Sequence, residues 1–228
     1  VGRAPGDGGP HPLDLDRLKM DDQRVLGLFR RGDTMGVFQF ESGGMRKLLV
    51  DMKPDRLEDL IAANALFRPG PMDLIPDYNA RKNGRQQVPS VNGEVDRLVA
   101  ETYGIMVYQE QVMQVLHHLG GIPLRAAYTI IKAISKKKLE TIAAFRERFV
   151  AGASARGLSA GEAEELFGLI EKFAGYGFNK SHSTAYALLA WQTAYLKTHH
   201  PREFMAALLS GDITGRNFKK KDALVEHI

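Results

Sequence analysis

Apolar residues recur three and four positions apart along most of this chain, most clearly after Tyr103. Val112, Val115, Leu116 and Leu119 share one face of the segment Tyr108 to Leu119. From Pro123 to about Lys137, Ala126, Ala127, Ile130, Ile131 and Ile134 gather on one side. Pro123 can open that helix, since a first-turn residue needs no N–H. Leu139, Ile142, Phe145 and Phe149 mark a helix over Lys138 to Gly152. Ser159-Ala160-Gly161-Glu162 reads as a capping box, and Ala163, Leu166, Phe167, Ile170 and Phe173 follow at helical spacing until Gly175. A helix over Thr184 to His199 ends at Pro201, and Glu203 to Leu209 forms one more.

The earlier part is less regular. Helices are expected over Asp22 to Arg30, Met45 to Met52 and Leu57 to Leu66, the last stopped by the two prolines of Phe67-Arg68-Pro69-Gly70-Pro71. Val37-Phe38-Gln39-Phe40 alternates as a short strand would. Residues 72–100 are polar and read as turns, with Asn83-Gly84 and Pro89-Ser90 as markers. Residues 1–12, rich in Gly and Pro, read as a flexible lead-in. The expected fold class is mainly α with minor short strands. Val1 in place of methionine, and a helical pattern still running at Ile228, suggest a piece of a longer protein.

Composition narrows the function classes. None of the 228 residues is cysteine, so disulfides and thiolate metal sites are excluded, which fits a reducing, cytoplasmic setting. No apolar run reaches the length of a membrane span. The net charge of +4 is modest but uneven. Between Leu119 and Gly157, Arg125, Lys132, Lys136, Lys137, Lys138, Arg146, Arg148 and Arg156 face only Glu140 and Glu147, a local excess of +6. A concentrated patch of this kind points to a polyanionic partner. On the expected helix after Pro123, Arg125, Tyr128, Lys132, Ser135 and Lys136 form one stripe. Lys132 and Lys136, one turn apart, repel each other, so helix stability does not account for them. They suit a phosphate chain or a nucleic-acid backbone.

A second candidate is Gly175-Tyr176-Gly177-Phe178-Asn179-Lys180-Ser181-His182-Ser183, which joins two helical segments. A plain connection needs a C-cap glycine and an N-cap, for which Ser181 or Ser183 would serve. Asn179, Lys180 and His182 then have no role, and a helix N-terminus attracts anions. Other signals are weaker. Arg68 sits in a stiff turn that holds a guanidinium still, and Tyr108-Gln109-Glu110-Gln111 puts polar groups at a helix start. Asp14 and Asp16 have the spacing of a metal pair but adjoin Arg17 and Lys19, so a surface turn is expected. His117-His118 and His199-His200 are neighbours that should point apart, and Ser181 beside His182 makes no nucleophile–base pair.

Four longer motifs, in one order, carry a resemblance: Gly36-Val37-Phe38-Gln39-Phe40-Glu41-Ser42, Leu66 to Pro71, Tyr103-Gly104-Ile105-Met106-Val107-Tyr108-Gln109-Glu110-Gln111, and Phe173 to Ser183. Over about Leu13 to Asp212 the chain resembles the bacterial DNA polymerase III α-subunit family, the family C replicative polymerases. The resemblance implies a connection over 1–34, a fingers domain over 35–212 and the start of a further fingers segment over 213–228. It implies that Lys132, Lys136, Lys137, Arg125 and Arg68 serve the phosphates of an incoming deoxynucleoside triphosphate (dNTP). Asn179, Lys180, Ser181 and His182 would line the nucleotide or nascent-pair site. It implies no catalytic or metal residue here: Mg²⁺ belongs to palm aspartates outside this chain, and the fragment alone should be inactive. Implied partners are primer–template DNA, dNTP and, for the intact protein, the sliding clamp and other replicase subunits. Ile131 stands where the family often has the first of two arginines. The alternative reading is a stand-alone helical module that binds nucleic acid non-specifically.

Overall fold

The computed structural model describes residues 13–214, so the lead-in over 1–12 lies outside the described residues. Asp22 begins the first helix, α1 (Gln23–Arg30), by accepting the N–H of Arg24 at 2.8 Å and of Val25 at 3.3 Å, and Val25, Leu26, Leu28 and Phe29 are buried. Ser42 caps α2 (Gly43–Met52), and α3 (Leu57–Leu66) ends as expected before Pro69. The strand expected over Val37 to Phe40 does not form. Its backbone closes into successive turns, Val37 N–H to Thr34 O and Phe40 N–H to Val37 O at 3.0 Å, with Gln39 at φ +64°. Both Val37 and Phe40 then point into one core, and no neighbouring strand is needed to satisfy the backbone.

The polar stretch 72–100 is more ordered than its composition predicts. A 3₁₀ turn (Pro71–Leu74) leads into α4 (Ile75–Lys82), and Asn92 caps α5 (Gly93–Val99). In α4 Pro76 lies in the first turn, Asp77 at the positive end and Arg81 and Lys82 at the negative end, which suits a short helix without an apolar stripe. The remaining helices are α6 (Gln109–His118), α7 (Leu124–Ser135), α8 (Leu139–Ser154), α9 (Ala160–Ala174), α10 (Lys180–His199) and α11 (Pro201–Thr214). The Ser159–Glu162 capping box is present. α10 starts four residues before the expected Thr184, because Asn179 and not Ser181 or Ser183 is its N-cap. Gly175 ends α9 at φ −64°, so its place does not depend on glycine's left-handed freedom. The fold is mainly α. Among the described residues the β pairing is a single parallel bridge, Tyr108 to Phe178.

Two apolar cores organise these helices. The first joins α1, α2, α3, α4 and α10, with Trp191 stacked near Phe29 at 6.4 Å and Phe29 edge-on to Phe40 at 5.4 Å. The second joins α5 to α9 around Phe149 and Phe167. The second lobe is inserted between α4 and α10 of the first. The chain enters the second lobe after α4, and at the crossing between the lobes residues 105–108 and 175–179 lie side by side. α8 packs on the α6–α7 turn at backbone distance: a Cβ on Gly152 would sit 2.1 Å from the carbonyl oxygen of Gly120.

Candidate functional site at the lobe crossing and the cationic face

At the crossing, Gln109 donates its N–H to Phe178 O at 2.9 Å and Phe178 its N–H to Val107 O at 3.2 Å. The turn after α3 docks onto the same place. Gly70, at φ +98°, lets the Tyr176 ring approach to 2.5 Å of where a Cβ would stand. Arg68 spends its guanidinium internally. It donates to Ala65 O at 2.9 Å and to Tyr176 O, and lies over the Phe178 ring at 4.3 Å. Burial lowers its pKa below the ordinary arginine value.

The donors at the start of α10 are engaged too, by carboxylates from the other lobe. Asn179 Oδ1 accepts the His182 N–H at 2.8 Å while its Nδ2 donates to Glu110 Oε1 at 2.9 Å. Lys180 donates its N–H to Glu110 Oε2 at 3.0 Å and its Nζ to Glu101 Oε2 at 2.7 Å, and it overlies the Tyr108 ring at 5.4 Å. The anion that a helix N-terminus attracts is thus Glu110. The His182 ring lies between Phe178 (5.4 Å) and Tyr186 (4.2 Å), Ser181 is exposed, and Ser183 is buried with its hydroxyl on Ile61 O at 2.6 Å. The chain therefore brings Arg68, Asn179, Lys180 and His182 into one cluster.

α7 offers the opposite situation. Ala127, Ile130, Ile131, Ala133 and Ile134 are buried, while Arg125, Tyr128, Thr129, Lys132, Ser135 and Lys136 are exposed. The helix stops at Ser135, with Lys136 as C-cap and Lys137 left-handed at φ +52°. Lys132 Nζ stands 4.5 Å from the Tyr128 ring centroid. Among the described residues, Arg125, Lys132, Lys136, Lys137 and Lys138 form no ion pair. The C-terminal end of a helix favours cations, which accounts for part of the cluster. It does not account for Lys138, which sits at the start of α8 without a side-chain cap. Arg146 is different: Glu164, at 2.7 Å, and Glu171 hold it between α8 and α9, over the Phe167 ring. Ile131, 5 % exposed, belongs to the second core. No hydrogen bond, ion pair or ring contact among the described residues joins this face to the cluster at the crossing.

A family described as the bacterial DNA polymerase III alpha subunit finger domain matches residues 7–157, which hold α1 to α8 and the whole cationic face. The chain belongs to this finger-domain family. The DNA polymerase III subunit alpha of Xylella fastidiosa (strain 9a5c) is 52 % identical over 203 residues, covering 89 % of this chain and 17 % of its own length. That of Thermus aquaticus is 50 % identical over 203 residues, covering 87 % and 17 %. That of Pseudomonas aeruginosa is 42 % identical over 233 residues, covering 99 % and 20 %. The chain thus spans less than a quarter of the length of these curated relatives.

Several residues of the cluster were not legible as functional. Glu110 gave no signal beyond a polar helix start, and Glu101 gave none. Gln111 is buried and takes the N–H groups of Val107 and Tyr108 at 2.9 and 3.0 Å while donating to Thr102 Oγ1 at 2.8 Å. His117 and His118, expected to point apart, meet edge-on at 5.2 Å. Their ring nitrogens face Ile122 O, Gln114 and Glu94. Asp14 caps its own turn and pairs with Arg17 at 3.2 Å. Among the described residues no group of three or more His, Asp or Glu is placed to hold a metal ion. No described helix is long and apolar enough to cross a membrane.

Proposed function

We propose that this chain is the fingers part of a template-dependent DNA polymerase, and that the exposed face of α7 receives the triphosphate of an incoming dNTP. The observation that carries this reading is a row of five cations, Arg125, Lys132, Lys136, Lys137 and Lys138, exposed and unpaired on one helix and its end, in a chain of the finger-domain family. A preorganised cation aimed at phosphate oxygens stabilises charge that grows during transfer. The α10 start, with Asn179, Lys180, Ser181 and His182, faces the nucleotide or nascent pair, and Arg68 braces it through Tyr176 O and Phe178. Primer–template DNA is the second substrate. The sliding clamp and other replicase subunits are partners of the intact protein, whose setting is the cytoplasm. The described residues do not suit Mg²⁺; the metal and the bond-making belong to residues outside this chain.

The test is Lys132→Ala in the full-length polymerase. A nucleotide KM raised, or single-turnover incorporation slowed, by about 10²-fold is expected, with primer–template affinity nearly intact. Unchanged incorporation removes Lys132 from the site. The same free cations also suit a non-specific nucleic-acid-binding module. In that case duplex affinity would reside in this chain alone and fall steeply with salt, with a slope of about −0.9 per phosphate contacted.

A further inference from the structure

We infer that Glu110 is a positioning residue: it sets the donor geometry at the start of α10 and ties that geometry to the second lobe. This rests on the polymerase reading, in which the α10 start meets the nucleotide. The side chain of Asn179 is held from both ends. Its carbonyl oxygen must face the His182 N–H to cap the helix, which leaves its NH₂ toward Glu110 Oε1 at 2.9 Å. The other oxygen of Glu110 takes the Lys180 N–H at 3.0 Å. One carboxylate in the first turn of α6 therefore fixes an amide plane and a backbone donor 69 and 70 positions along the chain. Glu101 does the same for the Lys180 ammonium at 2.7 Å.

The surroundings are not optimised for stability. Glu101 Oε1 and the Tyr108 hydroxyl are buried without a hydrogen-bond partner, although an unsatisfied buried polar atom destabilises the fold. Burial, with the nearby charge of Glu101, pushes the Tyr108 phenol far above its ordinary pKa, so it stays neutral and offers no charge to the cluster. Two carboxylates, one ammonium and two orphaned oxygens concentrate where the lobes cross. Such concentrations mark places where geometry and not stability was fixed. Glu110 is thus one of the contacts, beside the Gln109–Phe178 and Phe178–Val107 backbone bonds and the Glu101–Lys180 pair, that tie the α10 start to the lobe carrying the cationic face.

Reciprocal variants of the full-length polymerase test the assignment. Glu110→Ala should raise the dNTP KM about tenfold or more while kcat stays within about threefold. Asn179→Asp keeps the cap but sets two carboxylates against each other, and should show the same defect. The pair E110Q/N179D re-forms both contacts with the donor and acceptor exchanged. The amide introduced on α6 gives its NH₂ to the carboxylate introduced at the cap and accepts from the Lys180 N–H, so the pair should recover most of the loss. Failure of the pair to recover, or single variants that lower Tm and leave KM unchanged, would overturn the assignment and leave a purely structural clamp. Amide hydrogen exchange across residues 176–186 reads the same contact without catalysis. E110A should speed exchange there about tenfold or more, and unchanged protection rejects the proposal whatever the enzyme does. A wild-type protein that exchanges slowly at this place but performs no templated synthesis would count against the polymerase reading and not against Glu110 as the clamp of α10.

Discussion

Among the described residues the first lobe encloses polar groups within its core, and the second does so only where it meets the first. Around α3, α4 and α10, Thr34, Asp59, Asn79 and Ser183 are buried among apolar side chains, whereas buried polar residues in the second lobe are confined to Thr102 and Gln111 at the crossing. Asp59 is fully buried and meets Lys82 Nζ at 2.9 Å, the Asp55 N–H at 3.0 Å, Arg56 Nε at 3.6 Å and the Tyr78 hydroxyl at 3.5 Å. Burial pushes its carboxyl upward against the Asp55 N–H and Lys82, which favour the charged form. The second lobe reverses the arrangement, with charge outside on α7 and hydrocarbon inside. A helix that must present cations to a ligand needs only an apolar face beneath it. A lobe whose elements must meet at fixed angles can use buried polar contacts to specify them, at a cost in stability.

The largest test of this contrast is Asp59→Ala, which removes the buried partner of Lys82 and leaves it only the mostly exposed Asp55 carboxylate, also at 2.9 Å. A loss of about 3–5 kcal/mol in urea unfolding is expected. Replacing Asp59 and Lys82 together with Leu and Met should recover most of it. If the single change costs little, the first lobe is held by its hydrocarbon alone and the contrast fails. Next comes Gly152→Ala in the second lobe. Its Cβ would run into the Gly120 carbonyl, so α8 must shift, at about 1–3 kcal/mol. An unchanged melting curve would mean that the second lobe yields easily and is no rigid platform.

Asp22→Ala removes the α1 cap and the contact with His199 at 2.8 Å, and should cost about 1 kcal/mol at neutral pH. Burial pushes the Asp22 carboxyl up, but the bonds from His199 and from the Val25 and Arg24 N–H groups outweigh it and hold it below the usual range. A carboxyl with a lowered folded pKa stabilises fully above the unfolded value of about 3.9, and that contribution is lost as pH falls through the lower folded value. The gap between wild type and D22A should therefore close below about pH 4 in acid titrations of stability. A gap that persists in acid would show that the contact is not ionic.

The smallest expected effect on stability is at Lys132→Glu, within about 0.5 kcal/mol in the same unfolding assay, because the side chain is exposed and unpaired. Its effect should appear instead in nucleotide kinetics. A large stability loss there would make the cationic face part of the scaffold.

Most helices of the second lobe were legible because a local rule produces them. Ile130, Ile131 and Ile134, or Leu166, Phe167 and Ile170, repeat at the period of a helix that buries one face. The α7 stripe was legible for the same reason, as the other side of that face. α4 was missed because its stability comes from Tyr78 and Asn79 entering a core built by other segments, not from a stripe of its own. Asp59 could have been noticed, since it shares the apolar stripe of Ala62, Ala63 and Leu66, and a charge there implies a buried partner.

By itself, then, the sequence determined the helical class, most helix limits and the cationic stripe of α7, because periodicity and capping act within a few residues. Tertiary structure decided what the crowded start of α10 faces. Read alone, it was an anion site awaiting a phosphate. In the folded chain its donors meet Glu110 and Glu101, roughly seventy to eighty residues earlier. Whether a hydrogen-bond donor is free depends on which distant acceptor the fold delivers to it, and no local pattern encodes that distance.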